Sequence, residues 1–167
     1  CWAHITVGRD HSCGLKSDGS ISCWGCNTNG QHNAPPGSFV AIDSGMTHTC
    51  AIDTAGAVSC WGSNASNSLN APDSTFSSIA CGLNYCCGIT DAATDNIRCW
   101  GDDSYGQSTP PAGTYTHISI GGGQSCAIST DGSLHCWAGT DTVSSDSDGD
   151  ADAGGGASGG GAPTTGR

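Results

Sequence analysis

Apolar and polar residues alternate in short runs that recur along the chain, and the alternation of period two predicts β-strands. In residues 50–62, CAIDTAGAVSCWG, the pairs 50/60 and 52/58 are both centred on residue 55. Folded as an antiparallel hairpin, this stretch sets Cys50 opposite Cys60 and Ile52 opposite Val58 on one face. The pattern returns in residues 13–25, 87–101 and 126–138. There Leu15 falls opposite Ile21, Ile89 opposite Ile97, and Ile128 opposite Leu134. Asp18 with Gly19, Gly56, and Asp131 with Gly132 are turn formers at the hairpin tips. First cysteines at 13, 50, 87 and 126 give a period of 37, with two residues inserted in the turn of the third copy. A period of this size marks a repeat architecture.

A further strand is predicted before each hairpin. Trp2, Phe39, Phe76 and Tyr115 are equivalent under the repeat, as are Ile5, Ile42, Ile79 and Ile118. A glycine follows at 8, 45, 82 and 121, then His11, His48, Tyr85 or Gln124 two residues before the first cysteine. Each unit thus reads as a three-stranded meander, and Gly, Asn and Pro after each Trp-Gly mark an irregular crossing loop. The units are 1–37, 38–74, 75–113 and 114–138, the last without its loop. Trp24, Trp61, Trp100 and Trp137 are expected to fill the spaces between units, a core role preferred over a ligand-binding aromatic row. Histidine replaced by Tyr or Gln at one repeat position favours a repeated side-chain hydrogen bond to a neighbouring loop over a metal ligand.

The run GxxHxCA, then dGxvxCWGxNxxGQ, resembles the repeats of the regulator of chromosome condensation family. Its cysteine-containing form is similar to the bacterial secreted branch, which includes a β-lactamase-inhibitor propeller. The resemblance covers residues 1–138. It implies an all-β array of four three-stranded blades, a β-propeller or part of one, and generally a binding scaffold without enzymatic activity. Three departures stand out. Propellers of this family have more than four blades, Asn67 and Ser68 replace the usual Gly-Gln, and the fourth unit lacks the loop altogether. An open ring suits a fragment, a pairing with copies of itself, or a stacked helix of blades.

Composition narrows the setting. Twelve cysteines placed in register predict an oxidising compartment, so a secreted or cell-surface protein. Directly opposed cysteines predict bridges of Cys13 with Cys23, Cys50 with Cys60, Cys87 with Cys99 and Cys126 with Cys136. A local bridge of Cys81 with Cys86 across the turn GLNY is feasible. Cys1 and Cys26 stay unassigned, either intermolecular or joined to further chain. Cys23 and Cys26 have C-x-x-C spacing, but Cys23 already faces Cys13, which argues against redox chemistry or zinc. The net charge of -11 with one Lys and three Arg speaks against nucleic acid as partner. No apolar run approaches membrane-spanning length. No leader is visible, and because the chain begins inside a repeat, a leader or further repeats are expected upstream.

Beyond Ala138 the chain becomes an Asp/Gly/Ser-rich tail, 139–167, too poor in apolar groups to build a core. Asp146, Asp148, Asp150 and Asp152 alternate as in a calcium loop, without its glycine, its glutamate or its helices. An acidic linker is the plainer reading, and no cofactor is expected. Asn64, Ala65 and Ser66 form an N-glycosylation sequon in a crossing loop, and Ser158, Thr164 and Thr165 beside Pro163 are O-linked candidates. His4, His32, His117 and His135 show no motif spacing, and no nucleophile–base pair or phosphate loop is present. These features together predict an extracellular structural or adhesive repeat protein that assembles with itself, as in a fibre or filament, with calcium as the one conceivable ion. The alternative is a secreted, inhibitor-like binding module gripping a protein or glycan.

Overall fold

The computed structural model describes residues 1–138. The Asp146 to Asp152 series and Ser158, Thr164 and Thr165 lie outside the described residues. Twelve strands form four separate three-stranded antiparallel sheets, each with its strands in chain order. The first is β1 (Trp2–Val7), β2 (His11–Lys16) and β3 (Ile21–Gly25); the second is β4 (Phe39–Ser44), β5 (His48–Asp53) and β6 (Val58–Gly62). The third is β7 (Phe76–Cys81), β8 (Tyr85–Thr90) and β9 (Ile97–Gly101); the fourth is β10 (Tyr115–Ile120), β11 (Ser125–Ser129) and β12 (Leu134–Trp137). Among the described residues there is no α-helix, and the second crossing loop holds one 3-10 turn at Ala65–Asn67.

Register within each hairpin follows the cysteines. Cys13 pairs with Cys23, Cys50 with Cys60, Cys87 with Cys99 and Cys126 with Cys136, with Leu15/Ile21, Ile52/Val58, Ile89/Ile97 and Ile128/Leu134 alongside. The first strand of every blade carries a bulge at one equivalent place, between Trp2 and His4, Phe39 and Ala41, Phe76 and Ser78, and Tyr115 and His117. A bulge increases local twist. The strands it twists, β1, β4, β7 and β10, line a shared axial cavity bounded by His4, Asp43, Ala80 and Ser119 among others.

The core lies between blades rather than within one. Phe39, Ile42 and Trp61 pack on Cys13 and Leu15; Phe76 and Trp100 pack on Cys50 and Ile52; Tyr115 and Trp137 pack on Cys87 and Ile89. Each sheet therefore buries one face against its neighbour, which is what makes such an array cohere. The expectation that all four tryptophans fill inter-blade spaces fails at Trp24. Trp61 is 5 % exposed, but Trp24 is 43 % and its neighbour Trp2 is 59 % exposed. Their sheet has no blade on its outward side, so the two rings pack edge-on against each other, 6.0 Å apart.

Candidate functional site

The turns joining first to second strands gather at one end of the axis. Arg9, Met46, Leu83 and Gly122 are equivalent residues of these turns, and backbone hydrogen bonds tie them in sequence. Arg9 N donates to Met46 O at 3.1 Å, Met46 N to Gly82 O at 3.2 Å, and Leu83 N to Gly122 O at 3.0 Å. The approach requires glycine: a Cβ on Gly45 would run into the His48 ring and the Gly82 carbonyl. Around a cavity of about 480 Å³ the rim presents Arg9, Met46 and Leu83, with Asp43, Ser44 and Cys81 deeper in its wall. Arg9 is exposed and pairs with Asp10 at 2.8 Å, which raises its pKa, and Leu83 is 47 % exposed. Asp43 binds the wall together, accepting from Thr6 Oγ1 of the first blade (2.9 Å) and from Cys81 N of the third (2.8 Å).

Beneath the rim one polar contact recurs at each blade interface. His11 Nε2 meets Thr49 Oγ1 at 2.8 Å, His48 Nε2 meets Cys86 Sγ at 3.1 Å, and Tyr85 Oη meets Ser125 Oγ at 3.0 Å. The repeated hydrogen bond foreseen at this position forms for His11, His48 and Tyr85, reaching a neighbouring strand and not a loop, whereas Gln124 is exposed and makes no such contact among the described residues. Burial lowers the pKa of both histidines, that of His48 to about 4, with the charge of His11 adding to the effect on His48. Burial likewise raises Tyr85, against its hydrogen bond to Ser125. Both histidines are therefore neutral hydrogen-bonding groups at ordinary pH.

Five disulfides are present: Cys13–Cys23, Cys50–Cys60, Cys81–Cys86, Cys87–Cys99 and Cys126–Cys136. The Cys81–Cys86 bond occupies the place where the second blade has a 3.0 Å hydrogen bond between Ser44 and Thr49. Cys1 and Cys26 are free. The Cys1 carbonyl accepts from Ser17 N, whereas Cys26 N donates to Asp10 O. They sit at opposite ends of β2, about 20 Å of strand apart, too far to bond each other. Cys1 is exposed and Cys26 half-buried, and the hydrogen bond of the Cys26 thiol with Thr28 lowers its pKa.

Donor atoms of His48, Cys50, Cys81 and Cys86 lie within 4.8 Å of one another. Sulfurs held in disulfides are not thiolates, so this group is no metal cage in its oxidised form. Of the remaining histidines, His4 lies on β1, His32 in the first crossing loop and His117 on β10, while His135 on β12 packs edge-on to Tyr115 at 5.7 Å. Asn64 is exposed, and its Oδ1 accepts from Leu69 N at 3.0 Å. The rim and the Asp43 bridge had no sequence signal beyond the repeated glycine, because the four turns are some 37 residues apart. Repeat alignment of residues 9, 46, 83 and 122 is what could have found them.

Four blades arranged about a common axis, each sealed on the next, define part of a β-propeller. A profile described as Regulator of chromosome condensation (RCC1) repeat matches residues 2–31, 39–67 and 76–107, over half of the chain. The chain belongs to this repeat family. Its structure resembles the ectodomain of the Physcomitrella patens receptor kinase CR4, with 27 % identity and a TM-score of 0.71 over 82 % of this chain and 38 % of that one. It also resembles the ectodomain of the Arabidopsis thaliana receptor kinase ACR4 (25 % identity, TM-score 0.69, 86 % of this chain and 52 % of that one). Prp20p of Saccharomyces cerevisiae shares the fold at 15 % identity and a TM-score of 0.69, over 82 % of this chain and 44 % of that one. The chain thus spans about half or less of these structures. No significant match was found among curated protein sequences. Among the described residues no helix is long and apolar enough to cross a membrane, and the disulfide content is consistent with an extracellular protein.

Proposed function

We propose that the chain is a secreted, protein-binding propeller module that grips its partner at the rim formed by Arg9, Met46 and Leu83. The observation that carries this reading is the run of backbone hydrogen bonds from Arg9 to Gly122, which holds four turns rigid around a cavity. A preformed concave surface with an apolar residue and a charged one at its mouth binds without a large ordering cost. Prp20p, with the same fold, has binding properties to Gsp1p and histones, and two neighbours are receptor ectodomains. The net charge of -11 favours a basic partner. Catalysis forms no part of this reading, since the polar groups converging between blades, His11, His48 and Ser125 among them, are buried away from any substrate. A photo-crosslinking residue at position 83, compared with one at position 131 on the outer turn, tests it. Cross-links to a discrete extracellular protein should form from position 83 and be lost in Arg9→Ala; equal labelling from both positions counts against the rim.

A second reading, assembly with copies of itself, is favoured by the uncovered face of the first blade, where Trp2, Ile5 and Trp24 are all exposed. On inner blades the equivalent surface is the one that seals against a neighbour. Light scattering decides this: concentration-dependent growth abolished by Trp24→Asp supports assembly, and a monomer at all concentrations removes it. A glycan on Asn64 fits an exposed crossing loop and is checked by the intact mass.

A further inference from the structure

The interface between the second and third blades differs from its equivalents in one respect. Where the first interface sets the Thr49 hydroxyl 3.8 Å from Cys13 Sγ, this one sets Cys86 Sγ 3.6 Å from Cys50 Sγ. Both sulfurs are completely buried and each already belongs to a disulfide, Cys86 to Cys81 and Cys50 to Cys60. Four sulfurs are therefore linked by successive contacts, Cys81 to Cys86 to Cys50 to Cys60. One end is Cys81, buried in the wall of the rim cavity; the other is Cys60, half-buried on β6. His48 Nε2 lies 3.1 Å from Cys86 Sγ, and its Nδ1 has no partner. A proton on Nε2 thus leaves no orphaned donor and points a hydrogen bond at the Cys86 sulfur.

We propose that Cys81, Cys86, Cys50 and Cys60 form a thiol–disulfide exchange relay that takes a dithiol as reductant and converts two intra-blade bridges into one inter-blade bridge between Cys50 and Cys86. The dithiol enters through the rim cavity, and one of its thiolates attacks Cys81 Sγ. The bond to Cys86 breaks, and Cys86 leaves as a thiolate that accepts the His48 hydrogen bond. That thiolate attacks Cys50 Sγ across the 3.6 Å gap, the bond to Cys60 breaks, and Cys60 leaves as a thiolate that takes a proton from water. The second thiol of the reductant then displaces Cys81 from the mixed disulfide. In sum one dithiol is oxidised to a disulfide, two protein disulfides become one, and Cys60 and Cys81 end as thiols. The product differs in kind from the starting state. Bridges inside a hairpin leave neighbouring blades free to part, whereas a bond from Cys50 to Cys86 staples the second blade to the third.

Cys81→Ser tests the second step by itself, because it leaves Cys86 a free thiol beside Cys50. Incubated with iodoacetamide and mapped without reduction, this variant should end with Cys50 bonded to Cys86 and the label on Cys60. Label on Cys86, or an intact bond between Cys50 and Cys60 with no label beyond the free Cys1 and Cys26, overturns the relay. Cys60→Ser enters from the other end and should place the label on Cys81. Wild-type protein given one equivalent of dithiothreitol decides the matter if neither variant folds. Labels on Cys60 and Cys81 with the inter-blade bond support the relay; labels on Cys81 and Cys86, or reduction confined to other bridges, overturn it.

Discussion

The indole of Trp61 donates a 2.8 Å hydrogen bond to the backbone carbonyl of Gln31, in the crossing loop of the preceding blade. Trp100 does the same to Ser68 at 3.0 Å and Trp137 to Gln107 at 3.1 Å. The aromatic ring covers the neighbouring sheet while its N–H anchors the loop that leads away from it. Because the acceptor is main chain, Ser68 serves as well as glutamine.

Trp61→Ala is expected to destabilise the protein by about 3–5 kcal/mol, the range for a large buried aromatic. Trp24→Ala, at the uncovered sheet, is expected to cost less than about 1 kcal/mol. Trp100→Phe keeps most of the ring and loses the bond to Ser68, for a cost of about 1–2 kcal/mol. Urea unfolding of the three variants orders them; equal losses at Trp24 and Trp61 would show that the inter-blade position carries no special weight.

Asn67 takes the place of Gly30 and Gly106 with φ +63°, against +80° and +78° for the glycines. Asparagine tolerates this left-handed conformation better than other side chains. Asn67→Gly should change the urea midpoint little, and Asn67→Ala should lower stability by about 1 kcal/mol. A stabilising Ala would contradict the backbone argument.

Stability should fall as the solution is acidified from neutrality. The His48 pKa lies near 4 in the folded protein, below the ordinary 6.5, because burial disfavours its charged form. Between these values the unfolded chain binds a proton that the folded one does not, so stability drops as pH falls from about 6.5 to about 4. The loss is on the order of 3 kcal/mol for this residue, and none of it appears above pH 7. His11, also lowered, adds to it. Chemical unfolding at pH 7.5, 5.5 and 4 measures the slope, which His48→Gln should flatten.

Replacing Cys81 by Ser and Cys86 by Thr together installs the pair that the second blade carries at Ser44 and Thr49. Loss of so short a bridged loop costs about 2 kcal/mol, and the new hydroxyl pair offsets about 1 kcal/mol of it. Thermal unfolding of the double variant against wild type gives the difference, and a loss above about 4 kcal/mol would mean the bridge does more than close its turn.

Most of the blade was legible from the chain. Opposed cysteines in each hairpin and apolar partners such as Ile52 and Val58 leave one workable register, since a one-residue slip would turn every side chain to the wrong face. The repeat then multiplies that inference by four. Less legible was what each residue faces once blades stack. Trp24 and Trp61 have the same local sequence, CWG, and opposite surroundings. Bulges at Ala3, Val40, Ser77 and Thr116 leave no mark in the alternation, because twist is set by the pairing strand and not by the residue that bulges.

The sequence by itself determined the period, the hairpin register, the bridges closed within each hairpin and the all-β class, because these depend on residues near one another in the chain. Tertiary structure alone decided that Asp43 joins Thr6 to Cys81, that His48 meets Cys86 in place of a hydroxyl, and that Cys50 and Cys86 touch. Those contacts span about one repeat, and no local pattern encodes the angle at which one twisted sheet settles on the next.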